Sequence, residues 1–105
     1  MVYEMLVGLH VTNDEMYQAY REKMTPILIE CGGGFGYDFR ISEILKSQTD
    51  SEINRVFTMH FPDKEARQQF FSAEPYRAIK TEFFESSKVI MVASTTLIAE
   101  YDRET

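Results

Sequence analysis

Residues 2–11, VYEMLVGLHV, decide the fold when they are read beside residues 54–61, NRVFTMHF. In the first stretch Tyr3, Met5, Val7, Leu9 and Val11 alternate with Val2, Glu4, Leu6, Gly8 and His10. In the second, Arg55, Phe57, Met59 and Phe61 alternate with Asn54, Val56, Thr58 and His60. Period two is the repeat of a pleated strand, so both stretches predict strands with one strongly apolar face. Pro62 stops the second, because it lacks the N–H a ladder needs.

Working outward, Thr12 is placed to cap a helix, with Glu15 completing a capping box and Val11 and Met16 forming a hydrophobic staple. Met16, Tyr17, Tyr20, Met24, Ile27, Leu28 and Cys31 recur at three- and four-residue spacing and make one apolar stripe. Pro26 inside it predicts a kink, and Gly32 or Gly33 a left-handed exit. Phe35–Lys46 alternates again and predicts a strand, with Ser47–Glu52 as a polar turn. Asp63 caps a short helix to about Phe71, and Pro75 opens a second piece to about Glu85, with Tyr76, Ile79, Phe83 and Phe84 as its stripe. Lys88–Tyr101 is β-branched and apolar on both faces, which predicts a fourth strand without saying which face it buries.

The order β-α-β-β-α-β predicts an α+β, ferredoxin-like unit over residues 1–105: an antiparallel sheet ordered 4-1-3-2, with the helices on one face. Tyr3, Met5, Val7, Leu9, Phe57, Met59 and Phe61 should face those helices. The other face would carry Val2, Leu6, Ile44 and Val56 beside Glu4, His10, Asp38, Arg40, Ser42, Thr58 and His60. A half-apolar face left in water predicts a homodimer formed face to face.

Composition narrows the partners. A net charge of −6 and a pI near 4.9 argue against nucleic acid and anionic membranes. No apolar run approaches the ~20 residues of a membrane span, and a lone Cys31 suits a reducing, cytoplasmic compartment.

Tyr20, Pro26, the Gly32-Gly33 exit, the aromatic strand with Arg40, Phe61-Pro62 and Pro75-Tyr76 follow one another in an order and spacing that resembles the dimeric α/β-barrel superfamily. Within it, the chain is similar to short uncharacterised bacterial proteins of the domain-of-unknown-function kind. It departs from them where they often carry Gly-Gly after the strand arginine, here Ile41-Ser42, and an arginine after the tyrosine, here Glu82 and Phe83. The superfamily includes cofactor-free monooxygenases, lactone isomerases and haem-degrading enzymes, so the resemblance implies no single activity.

Two candidate sites follow. Register arithmetic puts Glu4 opposite His60, His10 near Asn54 and Arg40 opposite His60. Glu4, His60 and Arg40 then form an acid/base and anion-binding set, with His10 and Asp38 as ligand contacts on the same face. The same trio also reads as a buried polar network at a dimer seam, where the arginine neutralises the glutamate. Tyr76, Tyr20 and Tyr17, walled by Met24 and Phe83, make a second candidate in the cleft between helix and sheet. There the competing reading is core tyrosines with wet hydroxyls. No spacing suits a metal, dinucleotide, P-loop or haem, so no cofactor is expected. The expected function is a cofactor-free enzyme, oxygenase- or isomerase-like, acting on a small hydrophobic or anionic metabolite. The alternative is a non-catalytic dimer that binds a small ligand or a protein.

Overall fold

The computed structural model describes residues 2–85 and 93–104. β1 (Val2–Val11) leads into α1 (Asp14–Glu30), then β2 (Gly34–Arg40), β3 (Arg55–Phe61), α2 (Lys64–Ser72), α3 (Glu74–Lys80), a π-helical turn (Thr81–Glu85) and β4 (Ala93–Arg103). The sheet is antiparallel in the order β2-β3-β1-β4, the expected 4-1-3-2 read from the other edge.

The period-two faces of β1 and β3 behave as their sequence predicts. Tyr3, Met5, Val7, Leu9, Phe57, Met59 and Phe61 are all buried in the core with Tyr17, Tyr20, Met24 and Leu28 of α1. Asn13, not Thr12, caps α1: its side chain accepts from the Met16 N–H at 3.0 Å. Pro26 sits within α1, which is continuous from Asp14 to Glu30. The helix ends in a Schellman motif. Gly32 adopts φ +81°, its N–H donates to the Ile29 carbonyl, and the Gly33 N–H donates to Leu28 at 3.0 Å. Asp63 caps α2 as expected, accepting from the Ala66 N–H at 2.7 Å. The expected start of the fourth strand, Lys88–Val92, lies outside the described residues.

β2 departs from its expected form. It ends at Arg40 instead of Lys46, and its register shifts between Phe35 and Asp38. Gly34 stands opposite His60 and Phe35 opposite Met59, but Asp38 stands opposite Phe57 and Arg40 opposite Arg55. The extra residue is accommodated at Gly36–Tyr37, where the Tyr37 N–H bonds the Thr58 hydroxyl at 2.8 Å. A Cβ on Gly36 would come within 2.6 Å of that hydroxyl, so glycine is required there. A bulge of one residue reverses parity beyond it. Asp38 and Arg40 therefore lie on the helix side, which corrects their expected place, while Tyr37 and Phe39 stack on the open face. Ser42 and Ile44 belong to the loop after β2, not to a strand. Ile53, on the same loop, returns over Gly8 of β1.

β4 carries a second irregularity, between its pairings with Leu6 and Val7. Leu6 faces Ala99 and Val7 faces Leu97, so Ile98 is the extra residue, and it reaches Gly8 on the open face.

Candidate functional site

The described residues place the two candidate sites on opposite sides of the sheet. On the open face the β1–β3 register sets Glu4 opposite His60, as the arithmetic expects, and the Asn54 side chain bonds both the N–H and the carbonyl of Val11, next to His10. Arg40 is absent from this group. The bulge carries it to the far end of β2, where it meets exposed Asp14 at 3.6 Å. The cation on Glu4 is Arg103, whose Nε lies 2.7 Å from Oε2. Arg103 lies two residues past the expected end of strand four, and its shared parity with Tyr101 was the signal available for it. Glu4 also accepts from Tyr101, and partial burial together with that bond pushes the Tyr101 hydroxyl above its ordinary value. Glu4 is 5% exposed, yet it sits on the uncovered side of the sheet. The His60 imidazole lies against Gly34, where a Cβ would approach it to 3.1 Å. Among the described residues no contact brings His10 into this group.

Beneath the helices the tyrosines do meet. The Tyr20 and Tyr76 hydroxyls are hydrogen-bonded at 2.9 Å in a buried setting, and Tyr17 packs on Tyr20 at 5.8 Å between ring centroids. Burial, followed by the Tyr76 hydroxyl, drives the Tyr20 pKa far up, so Tyr20 stays protonated at any physiological pH. These rings border an interior cavity of about 90 Å³, with Met5, Met24 and Met59 among its walls. Phe83 packs edge-on against Tyr20 rather than lining the space. Glu82, which stands where relatives often have an arginine, bonds Lys23 of α1 at 3.0 Å.

The charged part of this pocket was missed in the sequence. Arg21 projects from α1 beneath the sheet edge, 11% exposed, with its Cζ 3.9 Å from the centre of the Phe35 ring and 4.6 Å from that of Phe57. Its Nε donates to the Tyr17 hydroxyl at 2.9 Å, and its Nη1 to Asp38 at 3.3 Å. Arg55 grips the same carboxylate from β3 through two bonds of 2.9 and 2.7 Å. Asp38 is therefore brought into the tyrosine pocket and not into the histidine group. Hydrogen bonding by Arg55 chiefly, with the charge of Arg21 added, outweighs burial and holds its carboxyl below the usual range. Two signals pointed here. Arg21 follows Tyr17 by one helical turn, and Arg55 shares the core-facing parity of Phe57. Among the described residues no three His, Cys, Asp or Glu side chains gather as a cation site, and no helix is long and apolar enough to cross a membrane.

Residues 2–96 match a family model described as "Domain of unknown function (DUF1330)". No curated protein matches the chain significantly. Among solved structures, a protein of unknown function from Rhodopseudomonas palustris superposes with a TM-score of 0.76 at 17% identity, over 99% of this chain and 83% of that one. Its methylated form gives 0.74 at 17%, over 99% and 82%. An EthD family protein from Bacillus halodurans gives 0.50 at 14% identity, over 99% of both chains. These likenesses concern the fold.

Proposed function

Because the chain belongs to the DUF1330 family, a domain of unknown function whose name assigns no reaction, we propose its role from geometry: it is a cytoplasmic homodimer, one dimeric α/β-barrel domain over residues 1–105, that binds a small hydrophobic or anionic metabolite between helices and sheet. The observation that carries this reading is the cavity itself. Close-packed interiors leave few voids larger than a water molecule, and this one is bordered by three tyrosines and a buried arginine.

The dimer is supported by the open face. Tyr37, Phe39, Ile98 and Tyr101 are 65%, 53%, 48% and 41% exposed, beside a buried Glu4 carboxylate that is paired with a half-exposed Arg103. An apolar sheet face next to a buried carboxylate fits a second copy of the same face. Within that dimer the Glu4–His60 group would lie at the seam. The cytoplasmic assignment rests on the acidic composition and the free thiol of Cys31.

Turnover is the second reading. Tyr20, kept protonated, serves as a hydrogen-bond donor toward a carbonyl and not as a base, and this favours an isomerase- or oxygenase-like step over proton abstraction by a tyrosinate. A thermal-shift screen of small metabolites, with absorbance followed on each hit, separates the two. A ligand that raises Tm and is recovered unchanged supports binding, and one that is consumed supports catalysis. If no small metabolite raises Tm and the protein sediments as a monomer at micromolar concentration, the proposal fails.

A further inference from the structure

Resting on the ligand-pocket reading above, we propose that the ligand is a short-chain aliphatic monocarboxylate, its carboxylate on Arg21 and its tail in the cavity.

Arg21 holds three nitrogens in a fixed fork. Nε and Nη1 are engaged by Tyr17 and Asp38, while Nη2 is buried with no protein partner among the described residues. A guanidinium donor left unpaired in a low-dielectric setting is costly, so such a donor calls for an acceptor that the fold does not supply. Charge counting points the same way. Arg21 and Arg55 share the single carboxylate of Asp38, and the shorter bonds belong to Arg55. Asp14, whose field also reaches Arg55, pairs with Arg40 at 3.6 Å, so the inner trio keeps one positive charge in excess, which a monoanion cancels. Glu22, at the outer rim, is exposed to water and screened from it.

Arg21 also borders both the interior cavity and an outer cleft that runs past Thr25, Pro26 and Asp38. Arg21 is the one residue common to the two linings, with mostly apolar walls on the cavity side and polar ones on the cleft side. An anion entering from the cleft meets the arginine first and leaves its tail among Met5, Met24 and Met59.

Size and polarity restrict the class. The cavity of about 90 Å³ is smaller than the roughly 150 Å³ that admits benzene, so the tail holds two or three carbons and not a ring. A dicarboxylate would bury its second charge where the lining offers hydroxyls and apolar side chains but no second cation. An alcohol or primary amide of the same shape fills the space but leaves the arginine charge unmatched.

The test is calorimetric titration of the whole protein with sodium butanoate, butanamide, 1-butanol and sodium succinate. Butanoate is expected to bind at least tenfold more tightly than the amide or the alcohol, and succinate more weakly than butanoate. Arg21→Gln should reduce butanoate affinity tenfold or more and bring it level with the amide. Arg21→Lys, which keeps the charge, should retain part of the preference if the glutamine variant proves unstable. If the neutral compounds bind as tightly as butanoate, the pocket reading stands and the carboxylate assignment is overturned. If none of the four binds to folded wild-type protein, the carboxylate assignment is overturned, and the metabolite screen above decides the pocket reading on its own.

Discussion

Replacing Asp38 with Asn removes the one carboxylate that two arginines share. Arg55 holds it through two parallel bonds and Arg21 through a third. Fork geometry of this kind gives the stronger class of charge-assisted hydrogen bond. The side chains of Arg21, Arg55 and Asp38 are 11%, 18% and 32% exposed. That lies between a surface pair, worth ~0–1 kcal/mol, and a fully buried one, whose rupture costs ~3–5 kcal/mol. Asparagine keeps the shape and one acceptor but leaves two guanidinium groups close together without their counter-ion. The expected loss is about 2 kcal/mol, which for a chain of this size lowers Tm by roughly 10 °C.

Acid offers a second readout of the same trio. The folded pKa of Asp38 is lowered, Arg55 being the chief cause. The unfolded carboxyl therefore takes up its proton at higher pH than the folded one. The stabilisation is complete above the ordinary carboxylate pKa of about 3.9 and is lost as pH falls through the lowered folded value. Denaturant melts of wild type and Asp38→Asn between pH 7 and pH 2 should differ by a constant amount down to about pH 5, then converge in stronger acid. A variant as stable as wild type at pH 7, or a gap that widens on acidification, would refute the reasoning.

Further tests follow from single contacts. Gly33→Ala places a Cβ within 2.7 Å of the His60 carbonyl oxygen and of Leu28; urea melts should show a loss of about 1–3 kcal/mol, while Gly32→Ala should cost about 1 kcal/mol through its positive φ. Tyr20→Phe and Tyr76→Phe should each cost about 1 kcal/mol, and the double variant should cost less than their sum, because both single changes remove the same hydrogen bond. Tyr37→Asp with Phe39→Asp should convert the proposed dimer to a folded monomer in sedimentation, with circular dichroism unchanged. Glu4→Gln should weaken the dimer more than it weakens ligand binding, as measured by sedimentation and by butanoate titration on the same sample.

Much of this architecture is written in the residue pattern because β1 and β3 are regular. Alternation over Val2–Val11 and Asn54–Phe61 assigns every core-facing side chain, and a regular ladder then places Glu4 opposite His60. β2 has equally regular alternation, Phe35, Tyr37, Phe39, yet its parity reverses within three residues. The sole hint was Gly36, since a glycine inside a strand marks a bulge or a close backbone approach. Arg40 was misplaced for that reason, and Asp38 with it. The tyrosine pocket was legible because helical spacing brings Tyr17, Tyr20 and Met24 onto one stripe. The arginines were not, because a guanidinium on an apolar face reads as a residue reaching for water. Stacking on Phe35 and Phe57 keeps Arg21 inside instead.

The pocket beneath the helices is the centre of this account, and methyl resonances of its methionines report on it directly. With the protein labelled at methionine methyl carbons and titrated with sodium butanoate, the signals of Met5, Met24 and Met59 should shift together and saturate, while that of Met16, which does not line the cavity, holds its position. Saturable butanoate binding that leaves those three signals unmoved would contradict it.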